Sequence, residues 1–359
     1  MYLPTEITTP YLMVDVDRLE HNVRAMAEHA ARQGLALRPH AKTHKTAEIA
    51  ALQLRAGAAG LTVATLGEAE AFARAGCDDL FLAYPVWPSA ERLERIEALT
   101  DKVRLRIGVE SVTSARKLAP LSRLANPPQV VIEIDSGHHR TGVRPQLAAE
   151  IALEARKAGL DVAGVFTFPG HSYSPDARER AAAEERSALT AAVTALDLAG
   201  IRCEVASGGS TPTAALGEAA PLTELRPGVY VFNDAQQLEL GVCTEDQLAL
   251  TAVATVVSRP APDRLVLDCG SKVLGADRMP WATGHGRVLG LPGARVTALS
   301  EHHATVVLPE AGPEPALGDL LAVVPNHVCT AINLADQLHA VRDGQLVATW
   351  PVMARGANS

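Results

Sequence analysis

One lysine stands out for its neighbours. In Arg38-Pro39-His40-Ala41-Lys42-Thr43-His44-Lys45 an amine lies between two imidazoles and near a guanidinium. Desolvated in such company, a lysine amine is a nucleophile that forms Schiff bases with carbonyl compounds. At the end of a strand in water it is only a solvated cation. A second cluster, Ser207-Gly208-Gly209-Ser210-Thr211, combines two glycines with three hydroxyls. Such a loop can turn backbone N–H groups and hydroxyls toward a phosphate, and it can equally be a plain tight turn. A third, Pro325-Asn326-His327-Val328-Cys329, places His327 and Cys329 on one face if the segment is a strand. Imidazole and thiolate are zinc ligands, but the bare pattern also describes a buried histidine beside a core cysteine. Polar clusters recur at Asp135-Ser136-Gly137-His138-His139-Arg140-Thr141-Gly142, at Gly170-His171-Ser172-Tyr173 and at Arg226-Pro227-Gly228-Val229-Tyr230, with Asn233 and Asp234 beyond.

These clusters need a frame. Short apolar runs at 35–39, 60–64, 80–83, 103–109, 130–135, 162–168, 201–206 and 224–230 read as strands. Ala-rich helical patterns such as 46–56, 67–76 and 146–159 separate most of them. Eight strands is the number of a parallel (β/α)8 TIM-type barrel, whose chemistry collects at the C-terminal ends of its strands, where most of the polar clusters fall. A doubly wound sheet announces itself with GxGxxG after an early strand, and none is present. After about Leu240 helical periodicity fades into β-branched runs at 252–257, 264–267, 305–308, 320–324 and 346–352, broken by Pro and Gly. The expectation is a barrel over 10–240 and a mostly-β domain over 241–359. A surplus strand at 11–16 could bring residues 1–16 into the latter.

Composition narrows the partners. The chain of 359 residues is 47% hydrophobic with a net charge of −8, so it offers no basic face to nucleic acid or an anionic membrane. No apolar run approaches the roughly 20 residues of a membrane span. The N-terminus lacks the basic-then-apolar pattern of a signal peptide, and five scattered cysteines read as reduced thiols. A cytoplasmic enzyme is expected.

The clusters resemble the fold-type III pyridoxal-phosphate enzymes, the alanine-racemase-like barrels. Within them the chain is similar to the branch of eukaryotic-type D-serine dehydratase and D-threonine aldolase, over nearly its whole length. The resemblance implies Lys42 as the Schiff-base lysine and main catalytic residue, with Lys45 a weaker candidate. It implies Arg140 and Tyr173 near the cofactor ring, Gly208, Gly209, Ser210 and Thr211 at the phosphate, and Tyr230 on the phosphate side. It turns His327 and Cys329 into a metal pair, best suited to zinc, with manganese or magnesium as alternatives. Two protein ligands leave positions for substrate and water. It also implies a homodimer acting on a small amino acid.

The expected reaction is lyase chemistry on a β-hydroxy D-amino acid, of the D-serine or D-3-hydroxyaspartate type. The dehydratases of this branch carry His-x-Cys, as here, and the aldolases His-x-Asp, so elimination of water leads and retro-aldol cleavage is the alternative. Racemisation needs a tyrosine from the β domain, yet Tyr2, Tyr11, Tyr84, Tyr173 and Tyr230 all precede it. A non-catalytic cofactor carrier would resemble the barrel alone.

Overall fold

The computed structural model describes residues 3–217, 219–310 and 312–359, so Tyr2 lies outside the described residues. The chain forms two compact units that interleave in sequence. One comprises Met1–Arg24, Thr43–Glu48 and Val229–Arg355; the other comprises Ala25–Lys42, Ile49–Gly228 and Gly356–Ser359. The sequence pattern suggested one break near residue 240. Instead the chain leaves the second unit directly after Lys42 and returns at Ile49.

Strand β1 (Tyr11–Asp15) belongs to the first unit. The next eight build the second: β2 (Ala36–Leu37), β3 (Leu61–Val63), β4 (Asp79–Leu82), β5 (Arg104–Val109), β6 (Gln129–Glu133), β7 (Asp161–Phe166), β8 (Val205–Gly208) and β9 (Glu224–Leu225). All neighbours are parallel, in the order β2-β9-β8-β7-β6-β5-β4-β3. A parallel bridge between His40 and Thr62 joins the two ends of that order. This is the expected α/β barrel, with helices such as Leu66–Arg74, Ala148–Lys157 and Arg178–Leu198 between strands.

Two strands differ from the sequence reading, each for a local reason. The run at 201–206 becomes strand only at Val205. Ile201 instead completes the preceding helix: Gly200 is left-handed (φ 69°) and the Ile201 N–H donates to Leu196 O. That is a Schellman end, in which the apolar residue after the glycine packs back on the helix. The run at 224–230 stops at Leu225, because Pro227 has no N–H to give a ladder, and Val229–Val231 form a 3-10 turn.

In the first unit β1 pairs antiparallel with β10 (Leu250–Ala261), as the surplus strand allowed. The rest are β11 (Arg264–Leu267), β12 (Gly286–Val288), β13 (Arg295–Leu299), β14 (Ala304–Val307), β15 (Leu320–Pro325), β16 (Gln337–Arg342) and β17 (Gln345–Pro351). Antiparallel pairings run β10-β11-β14-β13-β12-β15 and back to β10, a closed ring without edges. Strands β12, β13 and β16 were not anticipated.

The barrel interior is partly ionic. Arg38, 2% exposed, donates from Nε to Glu224 (2.7 Å) and from a terminal nitrogen to Asp79 (2.5 Å). Arg106 on β5 reaches Glu224 at 3.2 Å, and Ser207 donates to its other oxygen at 2.7 Å. Strands β5 and β9 are not neighbours, so this contact crosses the inside of the ring. Burial alone would raise the Glu224 carboxyl, but Arg38 and these donors hold it below the usual carboxylate range. Glu224→Gln would leave the buried Arg38 with Asp79 as its one remaining carboxylate partner and take from Arg106 its charged acceptor. It is expected to cost about 3–5 kcal/mol, seen as a lower urea midpoint of the cofactor-free protein.

Candidate active site

Just past β2 the chain makes one 3-10 turn, Ala41–Thr43, which carries Lys42. Its Nζ lies 5.7 Å from the centroid of the Phe168 ring, and the Arg140 guanidinium carbon lies 5.3 Å from the same ring. His138 meets that ring edge-on at 5.6 Å, and the Tyr173 ring is tilted against it at 6.2 Å. Phe168 is therefore the hub of four polar side chains contributed by three loops. Nothing in the sequence marked it, because it reads as the tail of a strand.

The loop 135–142 is organised by Asp135. Its Oδ1 accepts the N–H groups of Gly137 (2.9 Å) and His139 (3.0 Å), and its Oδ2 lies 2.7 Å from His139 Nδ1. Burial pushes that carboxyl up, and these bonds pull it below its ordinary range. His138 is lowered chiefly by burial and then by the charges of Arg140 and His171, which favours neutral imidazole. A Cβ on Gly170 would meet the His138 ring at 2.5 Å, so a side chain there would have to push that ring aside. His171 Nε2 lies 2.8 Å from Glu184 Oε2.

The glycine loop differs in detail from the expectation of inward N–H groups. The N–H of Gly209 donates to Glu185 Oε1 at 2.7 Å, and that of Ser210 donates to Thr213 Oγ1 at 3.0 Å. What the loop gathers is hydroxyls: Ser210 Oγ lies 3.0 Å from both Ser172 Oγ and Thr213 Oγ1. Thr211 follows, 6% exposed. Glu185 is fully buried, and burial raises its carboxyl to about 7. Tyr230, 3% exposed, lies in the turn Val229–Val231 of the other unit.

The His327–Cys329 segment is not the strand that its spacing suggested. β15 ends at Pro325, and His327 is the extended N-cap (φ −137°) of the helix Val328–Leu334, with Cys329 in its first turn. The two side chains are nevertheless close enough for the cysteine to raise the imidazole. His327 Nδ1 lies 2.5 Å from Asp277 Oδ2, which also accepts from Thr330 Oγ1 at 2.9 Å. The Cys329 thiol donates to Thr43 Oγ1 at 3.4 Å, and the Val328 N–H donates to Asp234 Oδ2 at 3.3 Å. Burial alone would lower the imidazole, but the cysteine and Asp277 raise it well above its ordinary value. Among the described residues no set of three His, Cys, Asp or Glu side chains is gathered for a metal. Asp277 was missed in the sequence, whereas Asp234 stood just beyond the cluster at 226–230.

Lys42 and Lys45 are also distinguished. Lys45, 4% exposed and left-handed (φ 52°), donates from Nζ to Asn333 Oδ1 at 2.7 Å.

Comparison with known proteins gives the class. Residues 14–236 match the alanine racemase N-terminal domain, and residues 249–341 match a putative serine dehydratase domain. The chain belongs to the alanine racemase N-terminal domain family, with a dehydratase-type second domain. It is 35% identical to D-threo-3-hydroxyaspartate dehydratase of Delftia sp. (strain HT23), over 96% of this chain and 97% of that protein. It is 34% identical to a D-threonine aldolase of an Arthrobacter species, over 98% and 93%. The solved structure of the Delftia dehydratase superposes with a TM-score of 0.89 at 34% identity, covering 96% of this chain and 97% of that one. A cysteine-to-alanine mutant of that dehydratase has been solved in a metal-free form. Alanine racemase from Bacillus anthracis, at 14% identity and a TM-score of 0.70, shares the fold.

Lys45 has the contacts of a tether. Lys45→Met is expected to remove one buried charged hydrogen bond, about 1–3 kcal/mol, and to lower the thermal midpoint of the cofactor-free protein by a few degrees.

Proposed function

We propose that this chain is a pyridoxal-phosphate- and metal-dependent lyase of β-hydroxy D-amino acids that eliminates water to give a 2-oxo acid and ammonia. The carrying observation is the His327–Cys329 pair in a chain whose barrel rim gathers Lys42, Arg140, His138 and Tyr173 around one aromatic ring. A cytoplasmic homodimer belongs to the same reading, which the family likeness supports. Among the described residues no helix is long and apolar enough to cross a membrane.

The residues fit both groups. Lys42 presents an amine above an aromatic face, with a guanidinium beside the same ring and a buried hydroxyl cluster at Ser210. Lys42 would hold the aldehyde carbon, Arg140 and Tyr173 the ring, and Ser210, Thr211 and Tyr230 the phosphate. When bound, pyridoxal phosphate supplies an electron sink for the bond broken at Cα. His327 and Cys329 supply one nitrogen and one sulfur donor, a set that suits zinc. Asp277 on Nδ1 fixes the imidazole tautomer and leaves Nε2 as the donor, the arrangement found behind most metal-binding histidines. When bound, the metal supplies Lewis acidity to the substrate hydroxyl.

The remaining work falls to the chain. Lys42 Nζ takes the Cα proton as general base. With Lys42 as the assigned base a single Cα configuration is expected, although Tyr11 and Tyr230, which the sequence order set before the β domain, belong to the β unit. His138, kept neutral by burial and the charges of Arg140 and His171, can accept a proton at neutral pH. Retro-aldol cleavage remains the second reading, favoured by the D-threonine aldolase relative.

Three outcomes test the proposal. Lys42→Ala should lose the visible absorption of the bound cofactor, and borohydride should tag Lys42 in the native enzyme; a tag on Lys45 overturns the assignment. Asp277→Asn should weaken zinc binding about 10–100-fold by competition with a chromophoric chelator, while cofactor absorption stays; unchanged zinc affinity removes Asp277 from the site. D-threonine should give 2-oxobutanoate, whereas glycine and acetaldehyde as main products would select the aldolase.

A further inference from the structure

The helix Arg178–Leu198 carries a carboxylate where its pattern calls for an apolar residue. Its buried face is Ala181, Ala182, Glu185, Leu189, Ala192 and Leu196. Glu185 is 2% exposed, and its Oε1 accepts the Gly209 N–H at 2.7 Å. A Cβ built on Gly208 would meet Glu185 Oε1 at 2.5 Å, and one on Gly209 would meet Leu225 at 2.8 Å. Gly209 is itself left-handed (φ 81°). The carboxyl thus occupies the space behind the turn: a Cβ on Gly208 would displace it, and the left-handed backbone of Gly209 favours glycine. Burying a carboxyl is costly, so a position that a leucine would fill without cost is occupied by one for its hydrogen bond.

We propose that Glu185 is a positioning residue for cofactor phosphate binding: it pins the Gly208–Gly209 turn from behind and so fixes where Ser210 and Thr211 stand. This rests on the pyridoxal-phosphate reading. The charged neighbours of the carboxyl are Arg226 and Arg186. Its partner Glu184 holds His171, so two adjacent residues of one helix fasten two rim loops. The turn also transmits to the hydroxyl cluster directly, because Ser210 follows Gly209 and lies 3.0 Å from Ser172 and Thr213.

The experiment compares wild type, Glu185→Gln and Glu185→Ala, each stripped of cofactor and titrated with pyridoxal phosphate and with pyridoxal, reading the absorption of the lysine adduct. The amide oxygen of glutamine can accept the same N–H; alanine cannot. Glu185→Ala should bind pyridoxal phosphate about tenfold more weakly while its affinity for pyridoxal changes less than about twofold. Glu185→Gln should stay within about threefold of wild type for both. Equal losses for both ligands in Glu185→Ala, or wild-type affinity for pyridoxal phosphate, overturn the proposal. If alanine prevents folding, a glutamine variant that loses phosphate preference overturns it, and one that keeps it upholds it. Failure of wild type to bind pyridoxal phosphate would instead strike the functional reading itself.

Discussion

The carboxylate of Glu224 lies at the crossing point of the barrel. Arg38, Arg106 and Ser207 all converge on it, from three different strands or strand ends. Arg106 apart, these residues stand a short chain distance from rim clusters. Arg38 is four residues before Lys42, Ser207 opens the glycine loop, and Glu224 itself is two residues before Arg226. One interior ionic network therefore sets the height and direction from which three functional loops depart. A buried guanidinium with two carboxylate partners has few alternative arrangements, so it gives these loops a common, rigid footing that apolar packing alone would specify less sharply.

Much of this frame could be read in the sequence because barrel strands are buried on both faces. Runs such as Leu80–Leu82 or Val130–Ile132 are continuous and apolar, and the helices between them keep their period. The β unit was harder to read. Strand β12 carries Arg287, which is buried against Glu239, and β13 carries Arg295 and Thr297, so neither shows an apolar run. The boundary between units was not legible as a composition change, since the segment Thr43–Glu48 that leaves the barrel unit is as polar as the motif it continues.

The site itself was half legible. Its reactive side chains announced themselves by type, but the residues that hold them did not. Phe168 fell at the end of a run read as strand, and Asp277 and Glu185 fell in none of the polar clusters. For Glu185 a signal did exist: it falls in register with Ala181, Ala182, Leu189, Ala192 and Leu196, so period alone puts a carboxyl among buried positions. The spacing of His327 and Cys329 misled for the opposite reason. Two residues apart suits a strand, yet an extended N-cap followed by the first helical turn also brings both side chains to one point. Spacing restricts geometry only after the backbone is known.

That difference bears on how the pair works. At a helix start the first N–H groups have no intrahelical acceptor, and here the Val328 N–H is taken by Asp234. The buried Asp234 carboxyl, raised to about 6 by burial, thus stabilises the helix start between the two candidate ligands. Asp277 orients the imidazole, and Thr43 receives the thiol. Separate neighbours thus hold the imidazole, the thiol and the helix start. The same logic governs the barrel rim, where Asp135 ties down its own loop and Glu184 and Glu185 tie down two others.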